Sequence, residues 1–432
     1  MPPRDDMATL TFTLENGATW GIAAVATIGV LFRPFDWPEA IWAALGAVVL
    51  VVARLLPWPD ALTAIANGTD VYLFLIGMMG IAELAREEGL FDWLAAHAAR
   101  AAKGSAKRLF ALIYLVGVVV TTFLSNDATA VVLTPAVYAA AKAAEAEPLP
   151  YLLICAFIAN AASFVLPISN PANLVIFGDH MPPLLAWLGR FALPSVLSIL
   201  ATYVVLRLTQ AKFLGKPVAR DVEAPELTLA GRLTGFGIGG MAVALLLAST
   251  FDWRLGAPTC LAAVLTVAVV ATAERKPPME ILRGVSWSVL PLVAGLFVLV
   301  EGLTHTGVLR ALSDDLHQAA GTSATATAWG AGVGVAILSN LINNLPAGLI
   351  AGQSVHAANV PENVTSATLI GVDLGPNLSV TGSLATILWL IALRREDQQV
   401  SAWTFLKLGM LVMPPALLLA IGSLLLAGGL RG

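Results

Sequence analysis

The sequence carries little charge for its length. Only 12% of its 432 residues are charged, against roughly 25% in a soluble domain. Long apolar runs replace the missing charge, and 58% of all residues are hydrophobic. Runs of about 20 residues with almost no charge are typical of helices that span a bilayer. These runs are continuous rather than alternating, which argues against a membrane β-barrel.

Residues that bind metals or redox groups are also scarce. The two cysteines, Cys155 and Cys260, lie in different apolar runs, where we expect small buried hydrophobic residues. The sequence contains no CxxC motif and no pair of histidines at ligand spacing, so we expect neither a metal site nor a cofactor. The five histidines are scattered in or near predicted loops, and they are His97, His180, His305, His317 and His356.

Further absences exclude several function classes. No cluster of basic residues interleaved with aromatics points to nucleic acid, and no GxxxxGKS or GxxxxGKT motif makes the chain itself an ATPase. No span contains the paired Ser/His, HExxH or GxGD-like pattern of an intramembrane enzyme. The N-terminus has one arginine and two aspartates rather than the basic region of a secretory signal, so we expect the first helix to be retained.

The apolar segments predict an all-α polytopic membrane protein with about ten transmembrane helices. The spans are expected near 18–33, 38–56, 69–86, 149–178, 184–207, 233–251, 257–273, 285–304, 364–393 and 402–427. Two further apolar segments, about 108–144 and about 325–357, have polar centres, and we interpret them as re-entrant hairpins. The spans near 149–178 and 364–393 contain polar interruptions, which predicts two broken helices.

Lysine and arginine set the predicted orientation. With the N-terminus outside, roughly 18 of the 24 basic residues fall in cytoplasmic loops, as the positive-inside rule requires. The basic residues left outside are Arg4, Arg54, Arg190, Arg254, Arg310 and Arg431. A multi-pass protein of the cell inner membrane is the expected result, with both termini outside and the polar segment 207–232 in the cytoplasm.

The two halves of the chain resemble each other. Residues 70–94 align with 288–312 at an offset of 218, and the same offset places Asn126 on Asn344. The matched pairs of the helix are Gly77 with Gly295, Glu83 with Glu301, Gly89 with Gly307 and Leu94 with Leu312. Five spans per half invert the second half in the membrane, as in many transporters. We therefore predict a first repeat at 1–206, a linker at 207–232 and a second repeat at 233–432.

Four polar breaks interrupt the apolar pattern, two at the hairpin tips and two in the span that follows each hairpin. Proline at Pro171 and Pro376 removes a backbone donor, and unwound backbone is tolerated in a membrane only inside protein or beside a wet cavity. Asn, Ser and Thr can satisfy the freed backbone groups or a ligand. The predicted substrate-binding residues are Ser125, Asn126, Thr129, Ser169, Asn170, Asn173, Asn340, Asn343, Asn344, Asn377, Thr381 and Ser383.

Asp127 and Asp373 are the acids within these breaks. Because an ionisable group within a membrane is costly, such a residue is a functional candidate, and we predict that both couple protons to transport. Asp127, beside Asn126 at the first tip, is the first candidate. Glu83 and Glu301 are related by the repeat, and we expect them to close helices or to pair with arginine rather than to act in transport.

At these residues the sequence resembles the arsenical pump membrane proteins of the ion transporter superfamily. The most specific segments are FLSNDATAVVLTP at 123–135, LSNLINNLPAGL at 338–349 and GVDLGPNLSVTGSLATILW at 371–389. The stretch LVAGLFVLVEGLTHTG at 292–307 is also typical of the family. The segment around 169–171 departs from the longer polar run of the family.

The resemblance implies an elevator-like carrier that exports arsenite and antimonite in exchange for protons. Near neutral pH arsenite is the neutral As(OH)3, which suits a site of Asn, Ser and Thr without lysine or arginine. Two cysteines are too few for a three-thiolate arsenic site. Some family members work with a soluble ATPase subunit, and the sequence leaves that partner open. The alternatives are a sodium/proton antiporter of the same superfamily, with Asp127 and Asp373 as sodium ligands, and the membrane subunit of an ATPase-driven pump.

Overall fold

The computed structural model describes residues 13–178, 181–251, 253–275, 277 and 279–429, and helices dominate this part of the chain. The helices of the first half are α1 (Leu14–Phe32), α2 (Glu39–Val52), α3 (Trp58–Asn67), α4 (Thr69–Glu87), α5 (Leu90–Ala101), α6 (Ala106–Leu124), α7 (Asn126–Ala128), α8 (Thr134–Ala143), α9 (Leu149–Ala161), α10 (Pro171–Phe177) and α11 (Leu184–Thr209). A π-helical turn, Thr129–Leu133, joins α7 to α8. Short 3-10 turns lie at Pro34–Asp36 and Pro167–Ser169.

The second half repeats this order of elements. Its helices are α12 (Leu229–Thr250), α13 (Gly256–Glu274), α14 (Met279–Gly284), α15 (Val289–His305), α16 (Val308–Thr322), α17 (Ala324–Ile342), α18 (Asn344–Ala357), α19 (Glu362–Leu374), α20 (Leu384–Arg395) and α21 (Ala402–Gly429). A 3-10 turn, Gly375–Asn377, follows α19. The helices α6 and α17 each have 19 residues, and α9 and α19 each have 13. Equal lengths at equivalent places support the repeat predicted from the sequence.

Each predicted span corresponds to one helix or to one broken pair, with bounds that differ by a few residues. By length and composition, seven described helices can cross a membrane, or up to nine candidate spans if each of two bent pairs counts as one. The difference from ten has a simple cause. Three predicted spans fall outside that count, because α2 and α9 are shorter apolar helices and the broken span is divided into α19 of 13 residues and α20 of 12. The count gains α6 and α17, which we assigned to the hairpins and which are themselves long enough to cross.

A central helix of each half packs against a helix of the other half. In the first half, α4 packs against α13 of the second half, and in return α15 packs against α2 of the first half. The contact is close at both places. A Cβ atom on Gly77 would lie 2.7 Å from the carbonyl carbon of Thr259, and one on Gly295 would lie 2.7 Å from that of Ala43. The repeat-related glycines therefore fix the interface between the halves, because any larger residue would push the backbones apart.

The linker between the halves lies against the base of the first hairpin. The N–H of Val218 donates to the carbonyl of Gly104 at 3.1 Å, and that of Ala219 donates to Ala144 at 2.8 Å. Leu214 and Val222 are buried on either side of these bonds. Of the residues used above for orientation and for metal chemistry, Arg4, His180, Lys276 and Arg431 lie outside the described part of the chain.

The predicted orientation can be tested at two exposed basic residues. In a Cys155→Ser/Cys260→Ser background, Lys216→Cys in the linker should react with an impermeant maleimide only from the cytoplasmic side, while Arg310→Cys should react from outside. Mass-shift labelling of intact cells and of inverted vesicles measures both sites. Labelling of Lys216→Cys in intact cells would contradict the predicted topology.

Candidate functional site

The two hairpin tips have the same backbone geometry. Ser125 ends α6 with φ 88° and ψ 162°, and Asn343 ends α17 with φ 75° and ψ 153°. Positive φ is uncommon for residues other than glycine. The positions are related by the offset of 218 found in the sequence, and a new helix begins directly after each one. In each tip, a single buried residue therefore separates the end of one helix from the start of the next.

The first tip is held by hydroxyl groups and is followed by an irregular turn. The Oγ1 atoms of Thr121 and Thr129 lie 2.8 Å apart, and Thr129 begins the π-helical turn. Such turns often occur at functional sites. Asn126 is almost fully buried, and its Oδ1 has no hydrogen-bond partner. This orphaned acceptor is free for a ligand, whereas Thr121, which sequence reasoning missed, serves the tip itself.

Three predicted residues organise the first broken helix. Asn173 donates its amide to the carbonyls of Ser163 at 2.9 Å, Pro167 at 3.2 Å and Leu166 at 3.3 Å. The side chain of Asn170 accepts from the N–H of Ala172 at 3.0 Å and so caps α10. The hydroxyl of Ser169 donates to the carbonyl of Thr122 at 3.1 Å, which ties the break to hairpin one.

Asn340, which lies in α17, holds the break of the second broken helix. Its amide donates to Ala336 at 2.7 Å and to Gly375 at 2.9 Å, and its Oδ1 accepts from the hydroxyl of Ser379 at 2.7 Å. Thr381 donates to the carbonyl of Asn340 at 2.9 Å. The remaining predicted residues are the caps Asn343 and Ser383, and Asn344, whose N–H donates to Gly382 at 2.9 Å.

Two hydrogen bonds join the broken helices of the two halves directly. The amide of Asn170 donates to Oδ1 of Asp373 at 2.7 Å, and the amide of Asn160 donates to Oδ1 of Asn377 at 3.0 Å. Asn377 in turn donates to the carbonyl of Phe157 at 3.0 Å. All four side chains are buried. Sequence reasoning missed Asn160, although a single amide in an otherwise apolar span was the available signal.

A vestibule of about 660 Å³ connects the first tip to charged helix ends. Ser125, Asp127 and Pro171 line it near the breaks, and Arg86 and Arg395 line it near the helix ends. The basic residues place these helix ends on the side that the positive-inside rule assigns to the cytoplasm. Asp127 is half-buried and therefore reaches the vestibule, whereas Asp373 is fully buried.

Two charged residues of the vestibule wall, Glu83 and Arg86, form an ion pair. Arg86 donates Nε to Oε2 of Glu83 at 2.9 Å, as expected for a glutamate near a span end. Partial burial raises the pKa of Asp92, and the guanidinium of Arg86 offsets part of that rise. The repeat-related Glu301 lies 3.5 Å from Nε2 of His305, which lies 3.5 Å from Asp60. The tips and breaks themselves contain no lysine or arginine.

Comparison with known proteins identifies the family. A family model described as citrate transporter (CitMHS) matches residues 27–376. An arsenical pump membrane protein of Escherichia coli is 30% identical over 423 residues, which cover 94% of this chain and 97% of the relative. One from Yersinia enterocolitica is 30% identical and covers 90% and 93%. The chain belongs to the citrate transporter family and to the arsenical pump membrane proteins.

The fold of this family member agrees with solved transporter structures. The YdaH transporter of Alcanivorax borkumensis, described as having an unusual topology, superposes with a TM-score of 0.61 at 16% identity, covering 97% of this chain and 99% of its own. MtrF of Neisseria gonorrhoeae, from a class of antimetabolite efflux pumps, gives 0.53 at 11% identity and covers 96% and 95%. These structures show the fold, and the family membership makes the chain a multi-pass membrane transporter and not an enzyme.

The hydrogen bonds separate residues that hold the breaks from residues that are free for a ligand. Asn173→Ala should lower the midpoint of thermal unfolding in detergent, because unsatisfied buried carbonyls cost about 1–3 kcal/mol. Asn126→Ala should leave this midpoint nearly unchanged and lower transport in vesicles, since its Oδ1 bonds to nothing in the described structure. Equal destabilisation by both variants would contradict this division.

Proposed function

We propose that this transporter exports arsenite and antimonite from the cytoplasm as neutral trihydroxides, in exchange for protons, across the cell inner membrane. The observation that carries the proposal is the chemistry of the tips and breaks. They offer amides, hydroxyls and two carboxyl groups but no lysine or arginine. The names of the relatives, arsenical pump membrane proteins, support the same substrates.

The lack of basic side chains also argues against citrate, although the family model bears that name. A polycarboxylate in a low-dielectric site needs cations to pair with its charges. As(OH)3 has no charge to neutralise and needs only donors and acceptors. Oxygen-donor binding is also weak enough for release, which a carrier requires. Arg86 and Arg395 lie at the helix ends of the vestibule rather than at the breaks, and Arg86 is already paired with Glu83.

In this proposal Asp127 exchanges protons with water in the vestibule. A bare carboxylate would oppose movement of the empty site through the low-dielectric barrier, so the return step requires a proton. One proton charge moving through the membrane potential supplies about 2.3 kcal/mol per 100 mV. That energy corresponds to about a 50-fold concentration ratio. Proton exchange is therefore sufficient to drive substantial export without ATP.

The direct test uses the purified chain alone in proteoliposomes. With only a pH gradient imposed, acidic inside, arsenite should accumulate in the vesicles, and citrate should not. Accumulation driven only by a sodium gradient would favour the sodium/proton antiporter alternative. Failure to accumulate arsenite without a soluble ATPase would favour the membrane subunit of an ATPase-driven pump.

Asp127→Asn imitates the protonated state permanently. This variant should still catalyse downhill arsenite exchange but should lose uphill accumulation in a pH gradient, because no proton can bind or leave at this position. Counterflow measures the downhill exchange, and uptake driven by a pH gradient measures the uphill accumulation in the same vesicles. Asp92→Asn, which changes another carboxyl group of the vestibule wall, is the matched control and should retain both. Proton-driven accumulation by Asp127→Asn would assign the coupling to another acid.

Oxygen-donor binding predicts that thiols are dispensable. Cys155 lies in α9 and Cys260 in α13, and neither belongs to a tip or a break. The double variant Cys155→Ser/Cys260→Ser should keep normal expression, arsenite resistance in growing cells and transport in vesicles. If resistance disappears at normal expression, the site depends on thiol chemistry and the proposed binding mode is wrong.

A further inference from the structure

The two bonds between the broken helices arise from equivalent positions. In α9 and in α19 the penultimate residue of a 13-residue helix reaches across to the break of the other half. That residue is Asn160 in the first repeat and Asp373 in the second. Asn160 bonds to Asn377, and Asp373 accepts from Asn170. One link therefore contains only amides, whereas the other contains a carboxyl group in the place of an amide.

Among the residues that the structure describes, no basic side chain forms a salt bridge with Asp373. Its side chain is fully buried, and its Oδ2 has no hydrogen-bond partner. The helices packed against α19 are α9, α10, α17, α18 and α21. Their titratable residues are Tyr151, Cys155, His356 and Lys407. Tyr151 donates to the carbonyl of Ala106, and Cys155 donates to the carbonyl of Tyr151. A ring nitrogen of His356 bonds to the carbonyl of Ile176, and Lys407 lies over the ring of Trp403.

A buried carboxylate without a cation is strongly disfavoured, whereas a neutral acid fits this position. Asn160 shows that a neutral group of the same shape is accommodated at the equivalent place. Because Asn170 occupies Oδ1, the proton belongs on Oδ2, and the link to Asn170 persists in both protonation states. We propose that Asp373 holds the exchanged proton on Oδ2, and that Asn170 is the positioning residue that fixes this arrangement.

This inference rests on the proposed proton-coupled export. It gives Asp127 and Asp373 different roles in proton transfer. The vestibule reaches Pro171, the neighbour of Asn170, but Asp373 behind it is fully buried. Asp127 thus exchanges protons with cytoplasmic water, while Asp373 keeps its proton until the site opens. A hydroxyl of arsenite can then donate to the ionised Oδ2 after the proton has left to water. Oδ2 of Asp373 accepts either the proton or the hydroxyl of arsenite, so binding of one excludes the other. The carrier therefore exchanges arsenite for a proton.

Moving the carboxyl group to the other end of the bond tests the proposal. In Asn170→Asp/Asp373→Asn, the new amide at 373 can donate to the new carboxylate at 170. Aspartate is also a good helix cap, so it can still accept from the N–H of Ala172, as Asn170 does at 3.0 Å. The swapped pair therefore keeps both hydrogen bonds and shifts the titrating group by the length of one bond.

The measurement is the pH dependence of downhill arsenite exchange in proteoliposomes, made in an Asp127→Asn background because Asp127 also titrates in the proposed function. With Asp373 in place, the rate should change by up to about tenfold per pH unit on the steep part of the profile, as one titrating group allows. Asp373→Asn should exchange arsenite with a flat profile, and the swapped pair should regain a pH-dependent one. A role limited to packing would leave the profile of Asp373→Asn like that of the Asp127→Asn background, and that result would overturn the proposal. A flat profile in a stable, active swapped pair would overturn the positioning role of Asn170.

A second readout needs no substrate. The difference between the midpoints of thermal unfolding of wild type and Asp373→Asn should vary with pH, because only wild type can bind or lose a proton at this position. A constant difference would refute proton binding at Asp373 whatever is transported. If the difference varies but wild type moves no arsenite, the proposed substrate is wrong while the proton site stands.

Discussion

The structure depends on hydrogen bonds to the backbone groups that the broken helices leave without helical partners inside the membrane. Each broken helix frees backbone carbonyls inside the protein, and lipid-exposed irregular backbone does not occur at membrane depth. Asn173 meets the need in the first half by donating to three carbonyls of its break. In the second half, Asn340 of α17 donates to the carbonyl of Gly375 in the break. The asparagines of the sequence thus serve two purposes. Some build the unwound segments, and others are free to meet a ligand there.

Approximate two-fold symmetry decides where the breaks meet. Because α4 packs on α13 and α15 packs on α2, neither half can enclose its own central helix. The same exchange brings Asn170 to Asp373 and Asn160 to Asn377, so each break is completed by the other half. A site built this way can change only when the halves move relative to one another or a bond between them changes. Alternating access requires such a property.

The symmetry is broken at the points where chemistry needs it. Equivalent positions carry an amide at Asn160 and an acid at Asp373. The equivalent glutamates Glu83 and Glu301 lie beside an arginine in one half and a histidine in the other. The differences between the repeats therefore concern protons and charges rather than packing.

The sequence by itself determined the class of protein, the repeat and the location of the breaks. Hydropathy predicted the helices, since a bilayer imposes one length and one composition on every span. The offset of 218 and the pattern of Pro, Gly and Asn located both tips, where the structure has the same positive φ at Ser125 and Asn343. Family resemblance added the expected substrates.

Only the tertiary structure decided which polar residues hold the freed backbone of the breaks. Asn173 and Asn126 are both asparagines within a polar break, and both leave Oδ1 unpaired, yet the amide of Asn173 donates to three backbone carbonyls of its break. The two acids were likewise alike in sequence, but Asp127 lines a vestibule and Asp373 is sealed behind Asn170. These outcomes depend on contacts between residues more than 200 positions apart. Local composition carries no information about such contacts, because the geometry that creates them arises only when the two halves pack together.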